Sequence, residues 1–381
     1  METFYVNAAD APQATAGFVD RYPQVPLNRV DPVNWRAMQK TTVGLIGYGL
    51  GGAVFHAPLI CAIPDLRLAS VVTSRRAQVE QDHPGVRVVA TVAEMLADQA
   101  IDLVVVASPS PNHFENARAA LRAGKHVGVD KPFAASVKEA EELIALAESK
   151  DRCISVFQNR RWDNDFLTVR KCIAEGLLGR VYHYEAHFDR FRPQLKGGWR
   201  EEPVKGAGLL YDLGSHLIDQ ALQLFGMPRA VFADVIGQRD VGVTGDYFHL
   251  ILDYGPRRAI LHAANLVREP GPHFLIHGDG GSFLKYGMDS QEEALKAGLR
   301  PGEATYGEDL PANYGQLTTA DGTRRTITTM RGAYQEYYAG IAAHLQQGAP
   351  VPVDASDSRD GLMVIEAATR SAIERRTVAI V

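Results

Sequence analysis

The stretch that decides the fold spans residues 42–52 and has the sequence TVGLIGYGLGG. It begins with a short apolar run, Thr42–Ile46, which continues directly into Gly47, Gly49 and Gly52 with the spacing G-x-G-x-x-G. An apolar run followed by such a turn predicts a buried strand that passes through a tight turn into a helix. We therefore expect a β-α unit to begin here.

The β-α pattern continues to about residue 157. Short apolar runs alternate with amphipathic segments, and the predicted strands are Thr42–Ile46, Leu66–Thr73, Ile101–Ala107, His126–Val129 and Ile154–Phe157. Runs this continuous are typical of parallel strands covered by helices on both faces. Thr91 with Glu94 and Ser136 with Glu139 fit the capping box that starts a helix, and Gly124 fits a helix end. The pattern predicts an α/β fold with an N-terminal doubly wound Rossmann domain.

After about residue 160 the strands become longer and alternate in polarity. The predicted strands of this part are Val181–Phe188, Val231–Ile236, Tyr247–Leu252, Arg258–Leu266 and Phe274–His277. Alternation and Gly-rich turns indicate a C-terminal α+β domain with a large, mostly antiparallel open sheet, closed by a late helix over Ser358–Arg375 and a short strand. The predicted organisation is an N-terminal extension (1–40), a Rossmann domain (41–160) and a C-terminal α+β domain (161–381).

The first 40 residues contain several prolines and no sustained periodicity. One interpretation is a poorly ordered tail. The other is an arm packed on the same or a neighbouring subunit, anchored by apolar residues such as Phe18 and Trp35.

Composition excludes several classes of protein. Hydrophobic residues at 46% and charged residues at 22% are close to globular averages. A net charge of -5 with scattered Lys and Arg leaves no basic stripe, so we expect no nucleic-acid partner. Cys61, Cys153 and Cys172 cannot all pair and show no C-x-x-C spacing, which predicts reduced thiols buried as small apolar residues.

No apolar stretch approaches the roughly 18 to 20 residues that span a bilayer. The segment Met1–Asp10 also lacks a basic region followed by an apolar run. We therefore expect no membrane partner and a cytoplasmic location.

The glycine-rich turn predicts a nucleotide site formed by Gly47, Tyr48, Gly49, Leu50 and Gly52. Gly47 permits the tight turn, Gly49 lets the backbone approach a pyrophosphate, and Gly52 allows close helix packing. The pyrophosphate would lie on the helix N-terminus, where free N–H groups and the helix dipole favour an anion. The alternative is a glycine turn without a ligand.

The end of the second predicted strand bears on the choice of cofactor. An NAD site usually has a carboxylate there to bind the ribose hydroxyls, whereas this chain has Ser74, Arg75 and Arg76. These donors and positive charges suit a 2'-phosphate and predict NADP, with NAD possible. For one of the two arginines, a solvated residue at a helix start is a serious alternative.

Four further motifs resemble one known family. They are ASPSPNH at 107–113, AGKHV at 123–127, DKP at 130–132 and GLLYDLGSHLID at 208–219. Their order and spacing resemble the glucose-fructose oxidoreductase, inositol dehydrogenase and MocA family from about residue 42 to the end. The stretches 159–166, 190–193, 211–220, 276–278 and 285–287 resemble its NADP-dependent scyllo-inositol dehydrogenase branch. Two residues depart from the family pattern, Asp130 in place of Glu and Ser110 in place of Asn.

The resemblance implies that Lys131, Asp212 and His216 are catalytic. The residue chemistry agrees, because oxidation of a carbinol requires a group such as His216 that takes the hydroxyl proton near neutral pH. Asp212 lies four residues before His216, which on a helix puts both side chains on one face. Lys131 follows a strand, at the sheet edge where α/β folds bind ligands. Taken singly, His216 also fits a core histidine and Lys131 a solvated strand end.

Other candidate residues surround these three. The resemblance adds Ser108, Pro109, His113, Asp130 and Lys131 to the cofactor site, with His113 ordering the nicotinamide pocket. Polar and aromatic side chains suited to a polyol are Lys131, Arg160, Trp162, Asp163, Tyr184, His187, Arg190, Asp212 and His216. The mechanism needs no metal. His183 and His187 share a strand face without an evident third ligand, so no zinc site is predicted.

These features predict an NAD(P)-dependent oxidoreductase acting on a CH–OH group of a cyclic polyol or sugar, with scyllo-inositol 2-dehydrogenase activity as the best guess. The alternatives are another sugar dehydrogenase or reductase of the family, a nucleotide-sensing regulator and an NAD-dependent glycosidase. The resemblance implies that the domain over residues 41–160 binds the dinucleotide and that the domain over residues 161–381 binds substrate and mediates oligomerisation. The broad C-terminal sheet resembles the surface through which family members associate, so we expect a homodimer or homotetramer.

Overall fold

The apolar runs of the first half form one sheet. The structure is a computed structural model that describes residues 40–195, 197–198, 201–239 and 244–380. The predicted N-terminal extension lies outside the described residues, apart from Lys40. The strands of the first sheet are β1 (Thr41–Ile46), β2 (Leu66–Val72), β3 (Arg87–Val89), β4 (Leu103–Val106), β5 (His126–Asp130) and β6 (Ile154–Phe157).

These six strands are parallel, in the order β3-β2-β1-β4-β5-β6. Every residue of β1, β4 and β6 is buried, which confirms that helices cover both faces. The order reverses direction between β1 and β4, and ligands of doubly wound sheets bind at the carboxyl ends of strands at such a point. The Rossmann prediction is confirmed.

Two of the five helices described in this half begin where a capping box predicts. The five are α1 (Ala57–Cys61), α2 (Arg76–Asp82), α3 (Val92–Leu96), α4 (His113–Arg122) and α5 (Val137–Ser149). The Thr91 hydroxyl accepts a hydrogen bond from the Glu94 amide at 3.1 Å, and the Ser136 hydroxyl accepts one from the Glu139 amide at 3.3 Å. These contacts satisfy amides at the helix start and confirm both predicted starts.

The second half forms a nine-stranded sheet in the order β14-β13-β12-β11-β7-β10-β9-β8-β15. Its pairs are antiparallel except β7 with β10. The prediction of a large, mostly antiparallel sheet is confirmed. Its strands are β7 (Val181–His187), β8 (Ala230–Ile236), β9 (Tyr247–Tyr254), β10 (Arg257–Ala264), β11 (Phe274–Gly278), β12 (Gly281–Lys285), β13 (Gly315–Thr319), β14 (Arg324–Ile327) and β15 (Val378–Ala379).

Four strands, β3, β12, β13 and β14, have no counterpart among the predicted strands. β3 has only three residues. β14 exposes Arg324, Arg325 and Thr326, so its own residues carry little apolar pattern. Such strands are held by backbone pairing with a neighbour, here β14 with β13, and that pairing leaves a weak signal in the sequence.

The helices of the second half are α6 (Asn164–Ala174), α7 (Ser215–Phe225), α8 (Gln291–Lys296), α9 (Gln335–Gln347) and α10 (Ala355–Glu374). The last two contact the first sheet, α9 at β1 and α10 at β6. The Ser155 hydroxyl of β6 donates to the Val353 carbonyl at 2.7 Å, and the Val137 amide donates to the Glu366 carboxylate of α10 at 2.8 Å. The chain therefore returns to the first sheet after the second, and the domain limits at residues 160 and 161 stay a prediction.

The cysteines are all unpaired, but their environments differ from the prediction. Cys172 is buried and Cys153 is half-buried, whereas Cys61 is exposed at the end of α1. The expectation that all three are buried is wrong for Cys61, because the last turn of α1 turns this residue away from the sheet. In the described ranges we find no helix whose length and apolar character would let it cross a membrane.

Candidate active site

The glycine turn after β1 has the geometry that a dinucleotide site requires. Gly47 has a φ of +99°, and a Cβ there would lie 2.6 Å from the Ala107 carbonyl oxygen. A Cβ on Gly52 would lie 2.1 Å from the Gly47 carbonyl oxygen. A Cβ on Gly49, in contrast, would have no protein atom within 4 Å. Gly47 and Gly52 are thus needed by the protein itself, while Gly49 leaves open space over the turn that suits a pyrophosphate.

Two neighbours of these glycines differ in what they can offer a ligand. Leu50 is exposed and lines the cavity described below. The Tyr48 side chain is buried, and its hydroxyl donates to the Asp82 carboxylate at 2.9 Å. The prediction of Tyr48 as a cofactor contact is therefore limited to its backbone.

The two arginines after β2 are not equivalent. Arg76 donates to the Glu80 carboxylate at 3.3 Å and to the Val88 carbonyl at 2.9 Å. The Arg75 side chain is exposed and has no hydrogen bond or ion pair within the described part of the chain. Ser74 is exposed beside it. Ser74 and Arg75 can therefore meet a 2'-phosphate without breaking a contact, whereas Arg76 is held by its own helix and by β3.

His113 joins the loops that follow β4 and β5. Its Nδ1 lies 2.8 Å from the Pro132 carbonyl oxygen, and its Nε2 lies 2.8 Å from the Ser108 carbonyl oxygen. The Asn116 amide donates to the Ser108 hydroxyl at 3.1 Å, and the peptide bond between Lys131 and Pro132 is cis. His113 is buried, and this burial lowers its pKa. These contacts indicate a positioning role for His113 at the sheet edge.

Lys131 and Asp212 form the central ion pair of the site. Lys131 Nζ lies 3.0 Å from Asp212 Oδ1 and 2.7 Å from the Asp212 carbonyl oxygen. Arg190 lies on the other side, with its guanidinium 3.9 Å from Asp212 Oδ2. Asp212 is held on a π-helical turn, Leu210–Gly214, directly before α7. Two cations thus face one carboxylate, which leaves excess positive charge to stabilise an oxyanion.

His216 lies at the start of α7 and is buried, with 4% of its surface exposed. Its Nδ1 has no hydrogen-bond partner among the residues that the structure describes. Burial lowers the pKa of His216 well below its ordinary value, and the positive charges of Lys131 and Arg160 lower it further. The imidazole is therefore neutral at neutral pH and can accept a proton.

Asp130 connects the glycine turn to the lysine loop. Its Oδ1 accepts a hydrogen bond from the Lys131 amide at 2.8 Å, and its Oδ2 lies 3.6 Å from His56 Nε2. Burial would raise the pKa of Asp130, but its contact with His56 and the charges of His113 and Lys131 lower it overall. His56 Nδ1 in turn lies 2.5 Å from the Tyr338 hydroxyl oxygen. The sequence interpretation missed His56 and Tyr338, because they are 282 residues apart and meet only in the fold.

These groups converge on a cavity of about 320 Å³ at the carboxyl edge of the first sheet. A volume of this size suits a small polar ligand. The lining includes Asp130, Lys131, Arg160, Arg190, Asp212 and His216 from the predicted set. A second cavity of about 180 Å³ shares Arg190, Arg192 and Asp212 with it. The structure therefore brings the three predicted catalytic residues together beside the glycine turn.

Four predicted substrate residues lie outside this lining. Tyr184 is fully buried on the inner face of β7, where it packs against Phe225 and Phe274. Asp163 is fully buried and accepts hydrogen bonds from Arg160 and from the Tyr334 hydroxyl. Trp162 packs edge-on against Tyr337. These side chains support the cavity wall instead of facing a ligand. His187, on the outer face of β7, also lies outside the lining.

Several lining residues were missed by sequence interpretation, namely Phe55, Asn159, Phe188, Arg192, Glu292 and Lys296. Glu292 accepts a hydrogen bond from Arg160 at 2.9 Å and pairs with Lys296 at 2.8 Å. Burial raises the pKa of Glu292, but the charges of Arg160 and Lys296 lower it overall. Both residues belong to the short helix α8, which carries no motif. Nothing in the local sequence could have placed them here.

Comparison with known proteins agrees with this geometry. Residues 41–158 match the NAD-binding Rossmann fold of the Gfo/Idh/MocA oxidoreductase family, and residues 170–380 match its C-terminal alpha/beta domain. The scyllo-inositol 2-dehydrogenase (NADP(+)) IolW of Bacillus subtilis is 45% identical over 346 residues, which cover 90% of this chain and 97% of that protein.

Two further relatives agree. The oxidoreductase YdgJ of Escherichia coli is 45% identical over 88% of this chain and 97% of its own length. The solved structure of the oxidoreductase YvaA from Bacillus subtilis superposes with a TM-score of 0.89 and 44% identity, over 91% of this chain and all of that one. The chain therefore belongs to the Gfo/Idh/MocA oxidoreductase family and is an NAD(P)-dependent dehydrogenase.

Proposed function

We propose that this chain is an NADP(H)-preferring polyol dehydrogenase that interconverts one CH–OH group of a cyclic polyol with the ketone, with scyllo-inositol as the best candidate. One observation carries this proposal. The Lys131–Asp212 ion pair and a buried, neutral His216 line one cavity beside the glycine turn. Bound there, the nicotinamide ring would exchange a hydride with the substrate carbon.

The side chains of this cavity transfer the proton, stabilise the developing charge and orient the substrate. In the oxidising direction, neutral His216 takes the proton of the substrate hydroxyl. The Lys131 ammonium donates to the same oxygen and stabilises its developing negative charge. Asp212 orients Lys131 and offers its second oxygen, which faces Arg190, to a neighbouring hydroxyl. In the reducing direction, His216 returns the proton.

The rest of the lining supports a polyol in preference to an apolar substrate. Arg160, Arg190, Asn159 and Glu292 present donors and acceptors, and the guanidiniums of Arg160 and Arg190 pack on the Phe188 ring. A ring with several equatorial hydroxyls can use polar groups at its rim. The relative IolW is a scyllo-inositol 2-dehydrogenase (NADP(+)), which supports this choice.

The preference for NADP rests on Ser74 and Arg75. Both are exposed after β2, and the Arg75 guanidinium has no protein partner among the described residues. A guanidinium and a hydroxyl suit a 2'-phosphate, while no carboxylate is present there for the ribose hydroxyls of NAD.

The test is the absorbance of reduced nicotinamide in assays of purified protein with NADP or NAD and with scyllo-inositol, myo-inositol, glucose or xylose separately. We expect reduction of NADP with an inositol. A His216→Ala variant should bind NADPH normally and turn over slower by orders of magnitude, whereas the matched His277→Ala variant, on the outer face of β11, should behave as the unmodified protein.

Other outcomes separate the alternatives. Reduction only with glucose or xylose would move the substrate to a simple sugar and overturn the inositol assignment. Hydrolysis of a glycoside without net reduction would favour an NAD-dependent glycosidase. Tight cofactor binding with no turnover in either direction would favour a nucleotide-sensing regulator.

A further inference from the structure

A row of histidines crosses the outer face of the second sheet, outside the catalytic cavity. His249 on β9 pairs with His262 on β10, and His262 pairs with His187 on β7. Tyr184 and Ala186 of β7 are buried on the inner face, so the half-buried His187 belongs to the opposite face. The register of three neighbouring strands thus brings together histidines that are distant in sequence.

Asp189, just after β7, adds a carboxylate to this row. Its Oδ1 lies 2.9 Å from His262 Nδ1, and its Oδ2 lies 3.5 Å from His187 Nδ1. The three ligand-type atoms all lie within 4.8 Å of one another. Ligands about 2.0–2.1 Å from a tetrahedral zinc ion are separated by about 3.4 Å, so small rotamer adjustments would suffice to coordinate one. The sequence argument against zinc rested on a missing third ligand, and the fold supplies Asp189 and His262 beside His187.

Glu185 orients the His187 ring. His187 Nε2 lies 3.0 Å from Glu185 Oε2, so this nitrogen carries the hydrogen and Nδ1 is left to face Asp189. A carboxylate that holds the outer nitrogen of a histidine in this way is the usual support of a metal-binding imidazole. Asp189 is itself oriented, because its Oδ1 accepts a hydrogen bond from the Ala264 amide at 3.1 Å.

The arrangement of His187, Asp189 and His262 favours a bound cation. The Asp189 carboxylate lies against both imidazoles, 2.9 Å from His262 Nδ1 and 3.5 Å from His187 Nδ1. His262 Nδ1 is buried and lacks a hydrogen bond of good geometry despite its short distance to Asp189. Lone pairs that converge on a carboxylate repel unless a proton or a metal ion lies between them.

We propose that His187, Asp189 and His262 bind one divalent transition-metal ion of the zinc class, with the fourth position open to water. The chemistry of the set supports this assignment, because two imidazoles and one carboxylate are ligands that Zn²⁺ favours. The ion would tie β7 to β10 on their outer face. Asp189 stands between Phe188 and Arg190, which both line the catalytic cavity, so the metal would also anchor this part of the cavity wall.

The competing occupant is a proton. A proton on His187 would hold the cluster together without metal, because this ring lies between the carboxylates of Glu185 and Asp189. Metal binding would displace that proton into the solvent. The two cases therefore differ in zinc affinity and in proton release.

The test is calorimetric titration of Zn²⁺ into the full chain, without an affinity tag and after removal of metals with EDTA. We expect one saturable site per chain, with proton release seen as a dependence of the heat on the ionisation enthalpy of the buffer. His262→Gln and Asp189→Asn should each weaken binding by more than about tenfold. His277→Gln, the same change on the same sheet face, should leave it unchanged, because His277 pairs with the Ser282 hydroxyl and lies outside the cluster.

Three results would overturn the proposal. They are no saturable Zn²⁺ site, equal affinity in His262→Gln, and equal loss in His277→Gln. X-ray absorption of the unmodified zinc-loaded chain gives an answer independent of any variant. Two imidazoles and light-atom ligands would support the site, whereas a sulfur ligand or a single imidazole would refute it.

Discussion

Lys131 Nζ lies 3.0 Å from Asp212 Oδ1 although 81 residues separate them in the chain. The contact joins the loop after β5 to the turn that begins α7, and so joins the cofactor side of the cavity to the substrate side. Asp212 partly neutralises Lys131, while Arg190 keeps the local balance positive. We therefore expect turnover to respond to substitution of either residue of the pair.

Changing Lys131 to Met removes the ammonium and keeps the length of the side chain. We expect kcat to fall by about 10²–10³, because the developing oxyanion loses one donor. Affinity for NADPH should change little. Lys131→Arg should not restore kcat, since a planar guanidinium cannot take the place of a compact ammonium between the two Asp212 oxygens. Steady-state kinetics with a cofactor titration measures both, and an unchanged kcat in Lys131→Met would contradict the assignment.

The pH profile of oxidation should reflect His216. Its neutral form accepts the proton, so kcat/KM for polyol oxidation falls as the pH drops through the pKa of His216 in the free enzyme. Burial, Lys131 and Arg160 hold that pKa well below the usual value of 6.5, so the fall should occur on the acid side of 6.5. Lys131→Met removes one positive charge and should move the inflection to higher pH. An inflection above 6.5 in the unmodified protein would disagree with this environment.

Arg75 and Arg76 should differ in their effect on cofactor choice. Arg75→Ala should weaken NADP binding by about tenfold to a hundredfold, the loss expected for a hydrogen bond to a charged group, and leave NAD binding nearly unchanged. Arg76→Ala should affect both cofactors alike and weakly, because its guanidinium is engaged by Glu80 and Val88. Dissociation constants from fluorescence titration give the comparison. A stronger NADP effect in Arg76→Ala would reverse the assignment.

Gly49 and Gly52 should respond differently to the same added methyl group. Gly52→Ala would place its Cβ 2.1 Å from the Gly47 carbonyl oxygen, so we expect a loss of stability of about 1–3 kcal/mol. Gly49→Ala meets no protein atom within 4 Å and should keep its melting temperature, yet bind NADPH poorly because the methyl occupies the ligand's space. Thermal denaturation and cofactor titration of both variants separate the two effects. Normal NADPH binding by Gly49→Ala would place the pyrophosphate elsewhere.

Much of the fold could be predicted because it depends on local patterns. Apolar runs such as Leu103–Val106 can only be buried, and Thr91 and Ser136 cap the helices that follow them. Gly47 and Gly52 are required by close backbone contacts within the turn, whereas Gly49 leaves space for a ligand. The strands that escaped prediction, such as β14, gain their order from a neighbour instead of from their own residues.

The candidate site was predictable where residues belong to a motif and unpredictable where they do not. Lys131, Asp212 and His216 were found, but Glu292 and Lys296 come from a helix without a signature. Tyr184 was misplaced because sequence does not say which face of a strand is turned to the core.

By itself the sequence determined the strand and helix pattern, the nucleotide-binding turn and the family, because each depends on residues close together in the chain. Only the tertiary structure decided that Lys131 meets Asp212, that Arg76 is held while Arg75 has no side-chain partner among the described residues, and that His187 meets His262. Those contacts depend on sheet register and on packing between distant segments, and neither can be predicted from a local segment of the sequence.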